Sequence, residues 1–116
     1  MFALFNYAAQ VVRVVDGDTL DVSVDLGFRI YCRLRVRLAG INAPEVFGAK
    51  ATQAGKEAAE FVVDWIASGS RIVLHSKRYD DREKYGRVLA VVYRDDDPVS
   101  LNDAMLQAGK AVPSVD

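Results

Sequence analysis

The chain has little sulfur and little histidine: one cysteine and one histidine in 116 residues. Cys32 has no second thiol to pair with, so a disulfide within the chain is excluded. One thiol and the distant His75 also give no metal-ligand spacing. Cys32 therefore reads as a small core residue, His75 as structural, and Trp65 as part of an apolar helix face. Long hydrophobic runs are missing too, and no window approaches the ~18 apolar residues of a membrane span. The opening "MFALFNYAAQ" is apolar but lacks a basic segment and a cleavage site, so it does not read as a signal peptide. A cytoplasmic location is expected unless a leader was removed. Repeats, linkers and low-complexity tracts are absent. No charge sign dominates: the net charge is −1. A dedicated nucleic-acid binder is usually basic overall, so this balance counts against strong non-specific DNA affinity.

What is present fits one domain over residues 1–116. Just over half the residues are hydrophobic, enough to bury an ordinary core without disulfides or a structural metal. An apolar run from Tyr7 to Val15 ends at "DGDT", Asp16 to Thr19, a turn signal. "LDVSVD" alternates Leu20, Val22 and Val24 with Asp21, Ser23 and Asp25, as a half-buried strand does. After a turn at Gly27, residues Phe28 to Leu38 alternate again. Ile30, Cys32, Leu34, Val36 and Leu38 share one face; Arg29, Tyr31, Arg33, Arg35 and Arg37 share the other.

Beyond a Gly40–Pro44 turn the period lengthens. Ala54, Ala58, Phe61, Val62, Trp65 and Ile66 form a helical stripe, predicting a helix from about Thr52 to Ser68 closed by Gly69. Strands follow near Arg71–Ser76 and Tyr85–Tyr93, with Lys77 and Arg78 as loop charge between them. Asp95 to Asp97 mark a turn. Ser100 and Asp103 make a capping-box pattern for a short helix whose buried face is Leu101, Ala104, Met105 and Ala108, and which Gly109 stops. The expected fold is α+β and mainly β. It is a five-stranded OB-type Greek-key barrel with one helix between strands three and four and a second near the C-terminus.

Three stretches carry unusual polar content at element ends: "VVDGDTL", "RLAGINAPE" and "EKYGRVLA". Each alone is an ordinary turn, loop or strand entry. In this order they put Asp18, Arg37, Asn42, Glu45 and Arg87 at the ends of neighbouring strands. Hard oxygen donors suit a Ca²⁺-type ion, and guanidiniums answer charge on phosphate oxygens. A nearby carboxylate can take or align a water proton. Such a set suits phosphodiester cleavage.

The same stretches resemble the staphylococcal nuclease (thermonuclease) family of Ca²⁺-dependent nucleases built on an OB-type barrel. "DGDT" is similar to the family's first motif, and "RLAGINAPE" to its Arg-Leu-x-Gly-Ile/Val-Asp-Thr/Ala-Pro-Glu loop. "KYGRVLA" is similar to its Lys/Arg-Tyr-Gly-Arg strand. The resemblance implies a nuclease of DNA or RNA with little sequence specificity, preferring single-stranded or frayed substrate, monomeric and away from membranes. It implies that Asp18, Asn42 and the Ala43 carbonyl are Ca²⁺ ligands. Glu45 would align the attacking water, Arg37 and Arg87 would stabilise the phosphate transition state, and Lys84 and Tyr85 would hold a terminal phosphate. Asn42 departs from the family's Asp and removes a ligand charge, so weak Ca²⁺ binding is expected; Asp16 or Asp21 is a candidate to compensate. Better-known members carry more tyrosines near the site, so base stacking is expected to be thinner here. The extra Arg33 and Arg35 either track a phosphate backbone or form a solvated face that guards against edge pairing. The alternative function is a catalytically weak or silent OB-fold module that binds nucleic acid or protein.

Overall fold

The computed structural model describes residues 5–46, 52–67, 71–80, 87–94 and 97–114. Strands β1 (Asn6–Asp16), β2 (Thr19–Asp25) and β3 (Tyr31–Leu38) form a meander, and the two-residue β4 (Ile41–Asn42) follows. Helix α1 (Gln53–Ala67) leads to β5 (Ile72–Asp80) and β6 (Arg87–Arg94), then to α2 (Leu101–Gln107) and the short β7 (Val112–Pro113). Five strands close a barrel in the order β1-β2-β3-β6-β5. All pairs are antiparallel except β3 with β6. This is the expected OB-type α+β barrel.

The alternation seen in the sequence is what fills it. Leu20, Val22 and Val24 of β2 and Val36 and Leu38 of β3 point inward with Ile72, Leu74, Val88, Ala90 and Val92. Burying each such aliphatic side chain contributes roughly 1.5–3 kcal/mol. Two register shifts in β1, between Val11 and Arg13 and between Val14 and Asp16, bend that strand, as bulges do in closed sheets. Gly55, Ala58, Val62 and Trp65 form the buried stripe of α1. Ser100 caps α2, its Oγ accepting the Asp103 N–H at 3.0 Å. Gly109, at φ 71°, turns the chain out of α2, with the Lys110 N–H bonded to the Met105 carbonyl and the Gly109 N–H to that of Leu106.

Several expectations need correction. Strand β3 starts at Tyr31, because Gly27, Phe28 and Arg29 all take left-handed backbone angles in the turn. Ile30 is consequently exposed instead of facing the core. Cys32 is only half-buried and lines a pocket with Tyr7, Leu26, Leu34 and Tyr79. Lys77 and Arg78 lie within β5, which runs on to Asp80. Ala54 sits on an exposed position of the first turn of α1, and Ala108 is the exposed cap residue of α2. The expected close of α1 at Ser68 and Gly69 and the expected start of the fifth strand at Tyr85 lie outside the described residues. The β4–β7 pair was not expected. It places Asn42 opposite Val112 and Ile41 opposite Pro113, tying the chain after α2 to the loop that bears Asn42.

Candidate active site

Asp18 lies in the β1–β2 turn, where the residue is 9% exposed. Its carboxylate is held on three sides. Oδ1 accepts from the Thr19 hydroxyl at 3.0 Å, and Oδ2 accepts from the Ala43 N–H at 2.9 Å. Arg37 Nη1 stands 3.1 Å from the same Oδ2. Arg37 also donates from Nη1 to the Ile41 carbonyl at 3.0 Å and from Nη2 to the Asn42 Oδ1. One guanidinium therefore joins the end of β3, the Asp18 turn and the Asn42 loop.

The loop after β4 is stitched to the turn at two points. Asp18 takes the Ala43 N–H, and Asp16 Oδ1 takes the Val46 N–H at 2.9 Å. Pro44 and Glu45 are the residues between these anchors, and the Glu45 side chain is exposed. Helix α1 presses on the loop from behind. The Thr52 N–H donates to the Glu45 carbonyl at 3.2 Å, and Thr52 Oγ1 caps the helix by accepting the Gly55 N–H at 3.0 Å. A Cβ on Gly55 would lie 1.9 Å from the Glu45 carbonyl oxygen, so only glycine permits this approach. On the turn side, a Cβ on Gly17 would come within 2.9 Å of both Ala43 Cβ and Ala58 Cβ.

Arg87 opens β6 and lies beside Arg35 in the parallel ladder, with Leu89 beside Arg37. It is half-buried, and its side chain makes no ion pair or hydrogen bond with a described residue. Among the sequence candidates, Asp18, Arg37, Asn42 and Ala43 meet in one cluster. Glu45 sits on the adjoining loop and Arg87 on the strand next to Arg37. Lys84 and Tyr85 lie outside the described residues. Asp21 turns to Arg35 in a two-point ion pair of 2.9 and 3.3 Å, and Asp16 turns to Val46.

A divalent cation can be tested against this donor set. Asp18, the Asn42 amide and the Ala43 carbonyl supply only oxygen, which fits a hard ion by type. Among the described residues, no group of three His, Cys, Asp or Glu side chains is placed to hold a metal. The set is right in kind and poor in charge. The sequence pattern gave Thr52 only as the start of a helix and did not single out Gly55 or Gly17. Their signal is steric, and appears only once α1 is seen against the loop.

A small closed five-stranded barrel with two helices defines an OB-type α+β domain, here with a carboxylate, an amide and a guanidinium gathered beside the β1–β2 turn. The staphylococcal nuclease homologue family matches residues 35–115, and the chain belongs to that family. Among its relatives, "Protein ParB" of Escherichia coli is 38% identical over 112 residues, covering 88% of this chain and 54% of that protein. An "Uncharacterized endonuclease" of Escherichia coli is 33% identical over 102 residues, covering 88% of this chain and 58% of the relative. "Micrococcal nuclease" of Shigella flexneri is 35% identical over 88 residues, covering 76% and 43%. The chain thus spans about half the length of these curated relatives. No helix among the described residues is long and apolar enough to cross a membrane.

Proposed function

We propose that the chain is a Ca²⁺-dependent phosphodiesterase that hydrolyses DNA or RNA with little sequence specificity. The observation that carries this reading is the cluster in which Arg37 holds Asp18 and Asn42 and Asp18 takes the Ala43 N–H, with Arg87, which pairs with no described residue, one strand away. Binding alone does not require an exposed carboxylate held on a braced loop beside a phosphate clamp. Family membership and the nuclease names of two relatives support the same reading.

In this reading Asp18, Asn42 and the Ala43 carbonyl would hold the ion. When bound, it supplies electrostatic polarisation of the phosphate and orientation of the water. Arg37 and Arg87 grip non-bridging oxygens of the scissile phosphate and answer the charge that grows there, with two N–H donors each. Glu45 accepts the proton of the attacking water or aligns it. Asp16, Thr52 and Gly55 keep Glu45 in place through the backbone. Lys84 and Tyr85 receive a terminal phosphate of the nucleotide.

One observation favours a second reading, a weak or silent binding module. Asp18 is the only carboxylate inside the cluster among the described residues, and Arg37 already neutralises it.

Cleavage of a labelled single-stranded oligonucleotide, with Ca²⁺ and with chelator, separates the two. The expected result is metal-dependent cutting that falls at least 10²-fold in Glu45→Gln and in Arg87→Ala. Intact binding with no cutting at millimolar Ca²⁺ would overturn the nuclease reading and leave the binding module.

A further inference from the structure

We propose that the outer face of β3, together with Arg13 of β1, is a phosphate-binding track that holds the nucleotides flanking the phosphate at Arg37 on a single strand. The proposal rests on the nuclease reading only for where the strand ends; the track itself is a binding surface.

Strand alternation places Tyr31, Arg33, Arg35 and Arg37 on one face. Residues two apart in a strand are ~6.6–6.8 Å apart, about one nucleotide step of a stretched single strand. From Arg37 to Tyr31 the row covers ~20 Å. Register widens it. Arg13 lies opposite Asp21, Asp21 opposite Arg35, and Arg35 beside Arg87. A row of three arginines and one aspartate therefore crosses four strands.

The aspartate decides which of these groups is available. Asp21 holds Arg35 through both carboxylate oxygens, so Arg35 is fixed in place and its charge is compensated. Arg13 and Arg33 are exposed and make no side-chain ion pair or hydrogen bond with a described residue. They line a cleft of about 340 Å³ with Asp21, Leu34 and Arg35. The cleft sets three guanidiniums against one carboxylate, in a protein whose acids outnumber its bases by 16 to 15.

At the far end of the same face Tyr31 is 66% exposed, a flat ring for a base to stack on. Asp25, opposite Tyr31, is occupied by the Gly27 N–H at 2.8 Å. A basic groove closed by an aromatic ring is the arrangement that holds single strands without sequence preference. An acidic peptide has no use for the ring or for the even spacing.

The test is fluorescence anisotropy of labelled oligo-dT of eight and of two nucleotides, in chelator, across a salt series. The variants are Arg13→Gln/Arg33→Gln, Arg13→Lys/Arg33→Lys and Tyr31→Ala. For the octamer, the Gln pair is expected to lower affinity about tenfold. It should also flatten the slope of log K against log salt by about 1.4, at roughly 0.7 per phosphate contact on a single strand. The Lys pair restores the slope. Tyr31→Ala weakens the octamer without changing the slope, and the dinucleotide responds far less to every variant. An unchanged slope in the Gln pair, an equal loss for both lengths, or an equal loss for a poly-glutamate peptide would overturn the track. Cleavage assays on the same proteins keep the two claims apart. Ca²⁺-dependent cutting with no track signature defeats the track alone. A track signature without cutting defeats the nuclease reading alone.

Discussion

Arg37 Nη1 stands 3.1 Å from Asp18 Oδ2, with both side chains 13% exposed. This pair joins β3 to the β1–β2 turn where the candidate metal ligands gather. The guanidinium lies against Asp18 Oδ2 and Asn42 Oδ1, on the two side chains proposed to hold the ion. A phosphate that draws Arg37 toward itself would loosen its hold on Asp18, leaving that carboxylate freer to take a cation. Substrate and metal would then assist each other through one side chain, a reciprocity that linkage requires of any such coupling.

The first prediction tests that pair. Arg37→Met keeps bulk and removes the charge, leaving a nearly buried carboxylate without its counter-charge. Breaking such a pair costs about 3 kcal/mol. Urea unfolding in chelator should show a loss of that order. In millimolar Ca²⁺ part of the loss should return, because a bound ion replaces the missing positive charge. The same loss with and without Ca²⁺ would mean that Asp18 does not meet the metal.

A second prediction concerns Asn42. Its amide oxygen accepts from Arg37, and the side chain is exposed. Asn42→Asp adds one negative charge to a donor set that has one carboxylate. A divalent ion and a unit charge ~4 Å apart in high dielectric interact by about 2 kcal/mol, so Ca²⁺ should bind about thirtyfold tighter. Calorimetric titration of both proteins reads the difference directly. Equal affinities would remove position 42 from the ligand set.

Gly55 gives a third. Glu45 O would lie 1.9 Å from a Cβ at this position, so Gly55→Ala must push α1 and the Glu45 loop apart. Overpacking of this kind costs about 1–3 kcal/mol, and cleavage should fall at least tenfold through displacement of Glu45. Ala54→Gly, at the neighbouring exposed position, should lose helix stability but keep Glu45 in place. Measuring Tm and cleavage for both variants separates the two effects. Full cleavage in Gly55→Ala would show that the loop has room to move.

The order of elements was legible because alternation in β2 and β3 and the stripe of α1 are local patterns. At the candidate site only proximity was legible, for residues borne on short motifs: Asp18, Arg37, Asn42 and Ala43 do meet. What was not legible depends on contacts between distant segments. Asn102 is the clearest case. It is buried in α2, donates to the Ala39 and Ala90 carbonyls at 2.8 and 3.2 Å, and accepts the Val92 N–H at 3.1 Å. In the sequence it is one polar residue in the first turn of a short helix. Gly55 was equally silent, because nothing local says that a loop carbonyl lies against it. The role of Arg35 was left open by alternation alone, which puts it on a solvent face. The register with Asp21 is what turns it from a free charge into a braced one.

The last prediction is a pH dependence away from the site. Asp97 closes the segment between β6 and α2. Arg94 donates to its Oδ2 at 2.6 Å and the Val99 N–H to its Oδ1 at 2.9 Å. The bond from Arg94 and then that from Val99 hold its carboxyl below the ordinary value of 3.8. Arg94 in turn stacks on Trp65, 4.4 Å from the ring centroid, and donates to the Trp65 carbonyl. The contact thus fastens β6 to the end of α1. A carboxyl whose pKa is lowered on folding adds stability that is fully present above its unfolded value and disappears as pH falls through the lower folded one. Asp97→Asn should therefore be less stable than wild type at pH 7 and equal to it near pH 2. Urea unfolding at the two pH values measures this. A difference that persists undiminished in acid would mean that the side chain acts through its hydrogen bond to Val99 and not through its charge.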